Sequence, residues 1–267
     1  MQRERSLTTR PESSESSFVT VCGRRLEYQR YAGSQPSAPT MVLLHEGLGS
    51  VSMWRGFPKR LADATGCPVV VYSRYGYGQS DALQTPFTVR YMHQEALEAL
   101  PEFLDRLEIV APVLLGHSDG SSIALIYAGA FGRARALILE APHVFVEHIC
   151  VQSIEEAKLT FATTDLPQRL GRHHASAEQS FRGWNDIWLH PDFRAWNIEA
   201  CLPRIGCPVL AIQGRDDAYG TMAQIESIGR RVQGPVELLK LDRCGHSPHR
   251  DQPVAVLEAV KKFVAAL

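Results

Sequence analysis

Apolar residues in this chain gather into short unbroken runs that recur along its length. TMVLLHEG (40–47), CPVVVYS (67–73), APVLLGHS (111–118), RALILEAP (135–142), CPVLAIQG (207–214) and VELLKLD (236–242) are too short for core helices and are bounded by turn residues, so each reads as a buried strand. Between them the period lengthens. SMWRGFPKRLADATG (52–66) repeats at helical spacing and stops at a glycine. TVRYMHQEALEALPEFLDRLEI (88–109) puts Met92, Ala96, Leu97, Leu100, Leu104 and Leu107 on one face, with a kink expected at Pro101. Helices follow over 118–132, 221–232 and 253–267. FVTVCGRRLEYQRYAG (18–33) alternates about a central glycine and reads as a β-hairpin.

Strands alternating with helices, and strands apolar on both faces, predict an α/β fold: a mostly parallel, twisted sheet with helices on both faces. Two segments break that rhythm. Residues 1–16 are rich in Ser, Glu, Arg and Thr and are expected to be a disordered tail. Residues 143–204 hold His, Arg and Trp but no clear buried strand; they read as helices broken at Pro167, Gly171 and Pro191, standing over one end of a core made of 17–142 and 205–267.

Composition narrows the function classes. The net charge is −1 over 267 residues, which gives no electrostatic footprint for nucleic acid or an anionic membrane. No stretch approaches the roughly 20 apolar residues of a membrane span. Six cysteines lack zinc-site spacing, and no apolar signal segment opens the chain. The expectation is a cytoplasmic protein with reduced thiols, no metal and no cofactor, acting on a small molecule; its oligomeric state is left open.

The chemistry concentrates in LLGHSDGSSIAL (114–125), where Ser118 stands between Gly116 and Gly120 at a junction of strand and helix. A serine hydroxyl is a weak nucleophile near neutral pH and needs a base and oxyanion donors beside it. A tight strand-to-helix turn exposes the hydroxyl and aims a helix N-terminus at developing negative charge. The other partners stand in the order such a site requires. Asp216 and Asp217 follow one late strand, and His246 follows the next; the C-terminal strand ends of an open parallel sheet are where sites assemble.

HEGLGS (45–50), SRYGYGQSD (73–81), GHSDG (116–120), GRDD (214–217) and CGHSPH (244–249) together resemble the α/β-hydrolase superfamily, in the branch with a helical cap inserted after the sixth core strand. Within it the chain is similar to the valacyclovir-hydrolase-like serine esterases and, after them, to carbon–carbon bond hydrolases. The resemblance implies Ser118 as nucleophile, His246 as base and Asp217, rather than Asp216, as orienting acid. It implies an oxyanion hole from the backbone N–H groups of Asp119 and Gly47, with Leu48 as the fallback for the second. HEG departs from the usual His-Gly, so Glu46 either pairs with a cation or lines the mouth of the site. Asp119 either caps the helix behind it or holds a substrate ammonium group. Glu46, Leu48, His143, Trp184 and Trp188 are the candidate substrate contacts. Trp184, Trp188 and Trp196, at helical intervals, fit core as well as pocket, and His117, His173 and His174 read as structural, the last two on the surface.

The function expected is a serine hydrolase that cleaves a small carboxylic ester through an acyl-enzyme. One alternative is cleavage of a carbon–carbon bond in a vinylogous diketone of meta-cleavage type, for which Arg74 or Arg194 would have to bind the substrate carboxylates. A non-catalytic ligand receptor is the other.

Overall fold

The computed structural model describes residues 16–35 and 37–267. The expected tail therefore lies outside the described residues except for Ser16, whose hydroxyl donates to Glu27 at 2.8 Å. Eight strands form one sheet: β1 (Ser17–Val21), β2 (Arg24–Tyr31), β3 (Met41–Leu44), β4 (Val69–Tyr72), β5 (Val113–His117), β6 (Ala136–Glu140), β7 (Val209–Gly214) and β8 (Val236–Leu241). Their order is β1-β2-β4-β3-β5-β6-β7-β8. β1, β2 and β4 pair antiparallel, and every pair from β4 through β8 is parallel.

Parallel strands covered on both faces must be apolar on both, and these are. Met41, Leu43, Val113, Leu115, Ile138 and Ile212 point to one side, where α1 (Phe57–Thr65) packs on the last helix of the chain through Leu61, Val256 and Val260. Val42, Leu44, Leu114, Leu137, Leu139 and Ala211 point to the other, against α4 (Asp119–Phe131) and α8 (Ala223–Arg231). The alternation at period 2 is what splits one sheet between two cores.

The helix expected over 88–109 is three pieces: α2 (Tyr91–Gln94), a π-helical turn (Glu95–Ala99) and α3 (Leu100–Arg106). Pro101 has no N–H for the carbonyl of Leu97, and its ring crowds that carbonyl; the widened turn one step upstream absorbs the misfit. The kink expected at Pro101 is thus spread over the preceding turn. Leu97, placed on the buried face by simple 3.6-residue spacing, is instead 36% exposed.

Between β6 and β7 run α5 (His148–Thr163), α6 (Leu166–Leu170) and α7 (Ala177–Trp188), then two 3₁₀ turns (Pro191–Ala195 and Glu199–Arg204). Pro167 lies inside the first turn of α6 rather than breaking a helix, as a residue lacking an N–H is tolerated there. The break falls before it, at Thr164–Asp165. One cross-link to the core corrects the sequence reading: His174 is buried, not on the surface. Its Nδ1 accepts from the Gly78 amide and its Nε2 donates to the Leu48 carbonyl, each at 3.0 Å. It thereby ties the helical segment to two core loops. A single short turn, α9 (Pro248–Asp251), and a longer helix, α10 (Pro253–Ala265), end the chain.

Candidate active site

β5 ends at His117 and α4 begins at Asp119, so Ser118 alone makes the turn. It does so at φ 53°, ψ −115°, a backbone state costly for a residue with a Cβ. The flanking glycines make the turn possible. A Cβ on Gly116 would lie 2.4 Å from the backbone of Gly120, and one on Gly120 would lie 2.0 Å from the Leu44 carbonyl oxygen. Both neighbours are backbone, one in α4 and one at the end of β3, and neither can give way without disturbing its element, which is the physical content of the Gly-x-Ser-x-Gly spacing.

His246, in the loop after β8, places Nε2 at 2.9 Å from Ser118 Oγ. Its Nδ1 lies 2.8 and 2.9 Å from the two carboxylate oxygens of Asp217, in the loop after β7. An ionised carboxylate only accepts, so Nδ1 carries the proton and Nε2 presents its lone pair to the serine. Asp217 is held from behind as well: its Oδ1 accepts from the Tyr219 amide at 2.8 Å and its Oδ2 from Gln213 Nε2 at 2.7 Å. Burial alone raises its pKa, but the hydrogen bond and charge of His246 with the Tyr219 amide outweigh that and hold it below the ordinary value. Asp216 is exposed; the neighbouring acid is the one that meets the histidine.

A cavity of about 220 Å³ opens over Ser118 and His246. Glu46, Gly47, Leu48, His143, Trp184 and Trp188, all singled out in the sequence, line it together. So do residues that pattern reading passed over. Cys150 and Ile154, four apart on α5, form one wall, and the Tyr219 ring lies 4.7 Å from that of His246, tilted by 39°. The i, i+4 apolar pair was a visible signal; Tyr219, two residues past the acid, was not. The backbone N–H groups of Asp119, Gly47 and Leu48 have no acceptor among the described residues.

Both readings of the Asp119 side chain are corrected by its surroundings. It is fully buried and makes no helix cap. It accepts from Tyr91 Oη at 2.6 Å and Trp188 Nε1 at 3.3 Å, and Arg74 lies 3.5 Å away. That carboxylate is committed to an internal network below the cavity, with no face left for a substrate ammonium group. Burial pushes its pKa up, more strongly than Arg74 and its hydrogen bonds lower it. Arg74 is equally committed, donating to the Glu46 carbonyl at 2.9 Å, and Arg194 pairs with Glu155 on the surface. Neither lines the cavity. Glu46 satisfies both of its alternatives at once: it lines the cavity, and its carboxylate sits 3.4 Å from both Arg250 and His117 Nδ1. His117 Nε2 donates to the His246 carbonyl at 2.6 Å, so the elbow histidine props the backbone of the loop that carries His246. Three residues on, His249 gives its amide and Nδ1 to buried Glu140 at 3.1 and 2.7 Å, pinning the same loop to the end of β6.

His143 is buried and stands 5.7 Å, ring to ring, from His246. Burial first, then the positive charge His246 can carry, lower its pKa from the ordinary 6.5 to about 3. A histidine neutral in the fold but free to protonate when unfolded destabilises the fold as pH drops from about 6.5 toward 3, and contributes nothing above that window. Unfolding by urea at pH 7 and pH 5 is expected to show about 2 kcal/mol lost to this group, a loss absent in His143→Leu. Equal pH slopes for the two proteins would contradict it.

The sequence model of the alpha/beta hydrolase family matches residues 41–259. A lipase of Mycobacterium tuberculosis, LipV, is 24% identical over 88% of this chain and 96% of its own. Among solved structures, the enol-lactonase of Burkholderia xenovorans superposes with a TM-score of 0.73 at 20% identity, covering 93% of this chain and 100% of the lactonase. A meta-cleavage product hydrolase of Pseudomonas fluorescens gives 0.72 at 16% identity, covering 94% and 97%. At these identities the two structures speak to the fold.

Proposed function

Because the chain belongs to the alpha/beta hydrolase family, we propose that it is a serine hydrolase that cleaves a small carboxylic ester through an acyl-enzyme. The observation that carries this reading is the unbroken line from Ser118 through His246 to Asp217, at 2.9 and 2.8 Å, beneath a cavity.

In the reaction proposed, His246 Nε2 takes the Ser118 proton as Oγ attacks the ester carbonyl. Asp217 orients the imidazole and stabilises it once it is charged. The backbone N–H groups of Asp119 and Gly47 receive the oxyanion, a task that needs donors not already spent. His246 then passes its proton to the leaving alcohol. Water entering in its place gives a proton to the same nitrogen, attacks the acyl-enzyme, and releases the acid with Ser118 restored. We read residues 143–204 as a cap whose Trp184 and Trp188 shape a pocket for a small apolar or aromatic group. A cavity of about 220 Å³ lies below the range usual for drug-sized ligands.

Cleavage of a carbon–carbon bond would use the same three residues, but its dianionic substrates require cations in the pocket, and among the described residues no Lys or Arg lines this one. The lipase and lactonase names among the relatives accord with ester chemistry. None of the helices among the described residues is long and apolar enough to cross a membrane. Free thiols throughout suit a reducing compartment, and we place the protein in the cytoplasm.

A panel of p-nitrophenyl esters with short, branched and aromatic acyl groups, run beside a meta-cleavage dienoate, tests the reading. Turnover of the esters with the dienoate untouched is the expected result. Dienoate turnover alone would move the assignment to carbon–carbon cleavage, and no turnover of either would favour a receptor.

A further inference from the structure

Most polar groups near Ser118 already have protein partners; the ring of His143 has none. Its Nδ1 is buried without a hydrogen-bond partner, and neither ring nitrogen has one among the described residues. The backbone around it is fixed on both sides: Ser122 Oγ donates to its carbonyl at 2.7 Å and the next amide, of Val144, donates to Gln224 Oε1 at 2.7 Å. The ring itself is wedged edge-on against Trp188, 5.1 Å between centroids. An imidazole held this firmly, with nothing to bond, costs stability that Leu or Phe would not. Strain of that kind is expected where a ligand supplies the missing partner.

Resting on the ester-hydrolase reading, we propose that His143 is a specificity-determining residue that hydrogen-bonds a hydroxyl group of the substrate, so that the preferred esters are hydroxylated. Nδ1 is shut off from the cavity, so Nε2 is the nitrogen a substrate can meet; in a neutral imidazole it is a donor or an acceptor according to the tautomer, and an alcohol matches either. A carboxylate is disfavoured here by Glu46 in the same wall. An ammonium group would meet only the acceptor. The burial that keeps His143 neutral at assay pH leaves Nε2 able to serve as either donor or acceptor. His143 is distinct from the base: its ring approaches that of His246, while of the two it is His246 that hydrogen-bonds Ser118 Oγ.

The hydroxyl can reside on the acyl or the alcohol side, and the test has one arm for each. In the first, p-nitrophenyl 3-hydroxybutyrate is compared with its isostere p-nitrophenyl 3-methylbutyrate. In the second, 2-hydroxypropyl butyrate is compared with 2-methylpropyl butyrate by titrating released acid. Each kcat/KM is divided by the hydroxide-catalysed rate of the same ester, and the readout is the ratio within a pair, which cancels any general loss of activity. Wild type is expected to favour the hydroxylated ester by about tenfold to a hundredfold in one arm. His143→Leu is expected to bring that ratio to about one, and His143→Gln, whose amide keeps a donor and an acceptor, to restore part of it. The Gln variant also serves if the Leu variant does not fold. Ratios near one in both arms for wild type, or a preference that survives His143→Leu, would overturn the proposal while leaving the esterase reading in place. Hydrolysis of none of the four esters by wild type would overturn both.

Discussion

Replacing Ser118 by alanine is expected to lower kcat on any accepted ester by about 10⁵- to 10⁶-fold, with KM little changed. Ser118 Oγ makes one side-chain hydrogen bond, to His246, so the hydroxyl contributes to bond making rather than to binding or folding. The substitution leaves the backbone donors of Asp119 and Gly47 in place, and a residual rate above water is expected from them. Steady-state kinetics on the best ester of the panel, with a thermal melt to show an unchanged fold, checks this. A loss of less than tenfold would mean that another group attacks the carbonyl.

Asp217→Asn is the second large effect, expected at about 10⁴-fold in kcat. The carboxylate accepts from three donors at once: His246 Nδ1, the Tyr219 amide and Gln213 Nε2. An amide has one acceptor oxygen and must turn its NH₂ toward one of these groups. Facing Gln213, it sets two donors against each other. Facing His246, it demands the opposite imidazole tautomer, which points an N–H at Ser118 and removes the base. Both arrangements are unfavourable, so a modest fall in melting temperature is expected with the loss of rate. Asp216→Asn, on an exposed side chain with no contact to His246, is the control, expected to fall within threefold of wild type. The reverse order of effects would assign the acid to Asp216.

The sheet and the Ser118 turn were legible because their signals are local. A parallel strand buried on both faces is an apolar run, and a turn too crowded for Cβ atoms requires glycine at Gly116 and Gly120. Chain order then put Asp217 and His246 at neighbouring strand ends, since β7 and β8 are adjacent in the sheet. What escaped depends on which distant side chains meet. Asp119 looks like a helix-capping acid until Tyr91 and Trp188 arrive from remote segments to claim it. His174 looks like one of a surface pair until Gly78 and Leu48 are found on either side of it. Leu97 fell on the wrong face because a single π-helical turn resets the angular register that a fixed period assumes. Glu140 and His249 lie 109 positions apart, and neither carries a local mark of the other.

If Ser118 is a nucleophile activated by His246, a fluorophosphonate should react with it, because the reagent modifies an activated serine whatever the natural substrate. Treatment of the native protein, followed by mass measurement of the intact chain and its peptides, reads this out. One adduct per chain, carried on Ser118 and greatly slowed in His246→Ala, is the expected result. No adduct, or one at another residue that forms equally fast without His246, would contradict it.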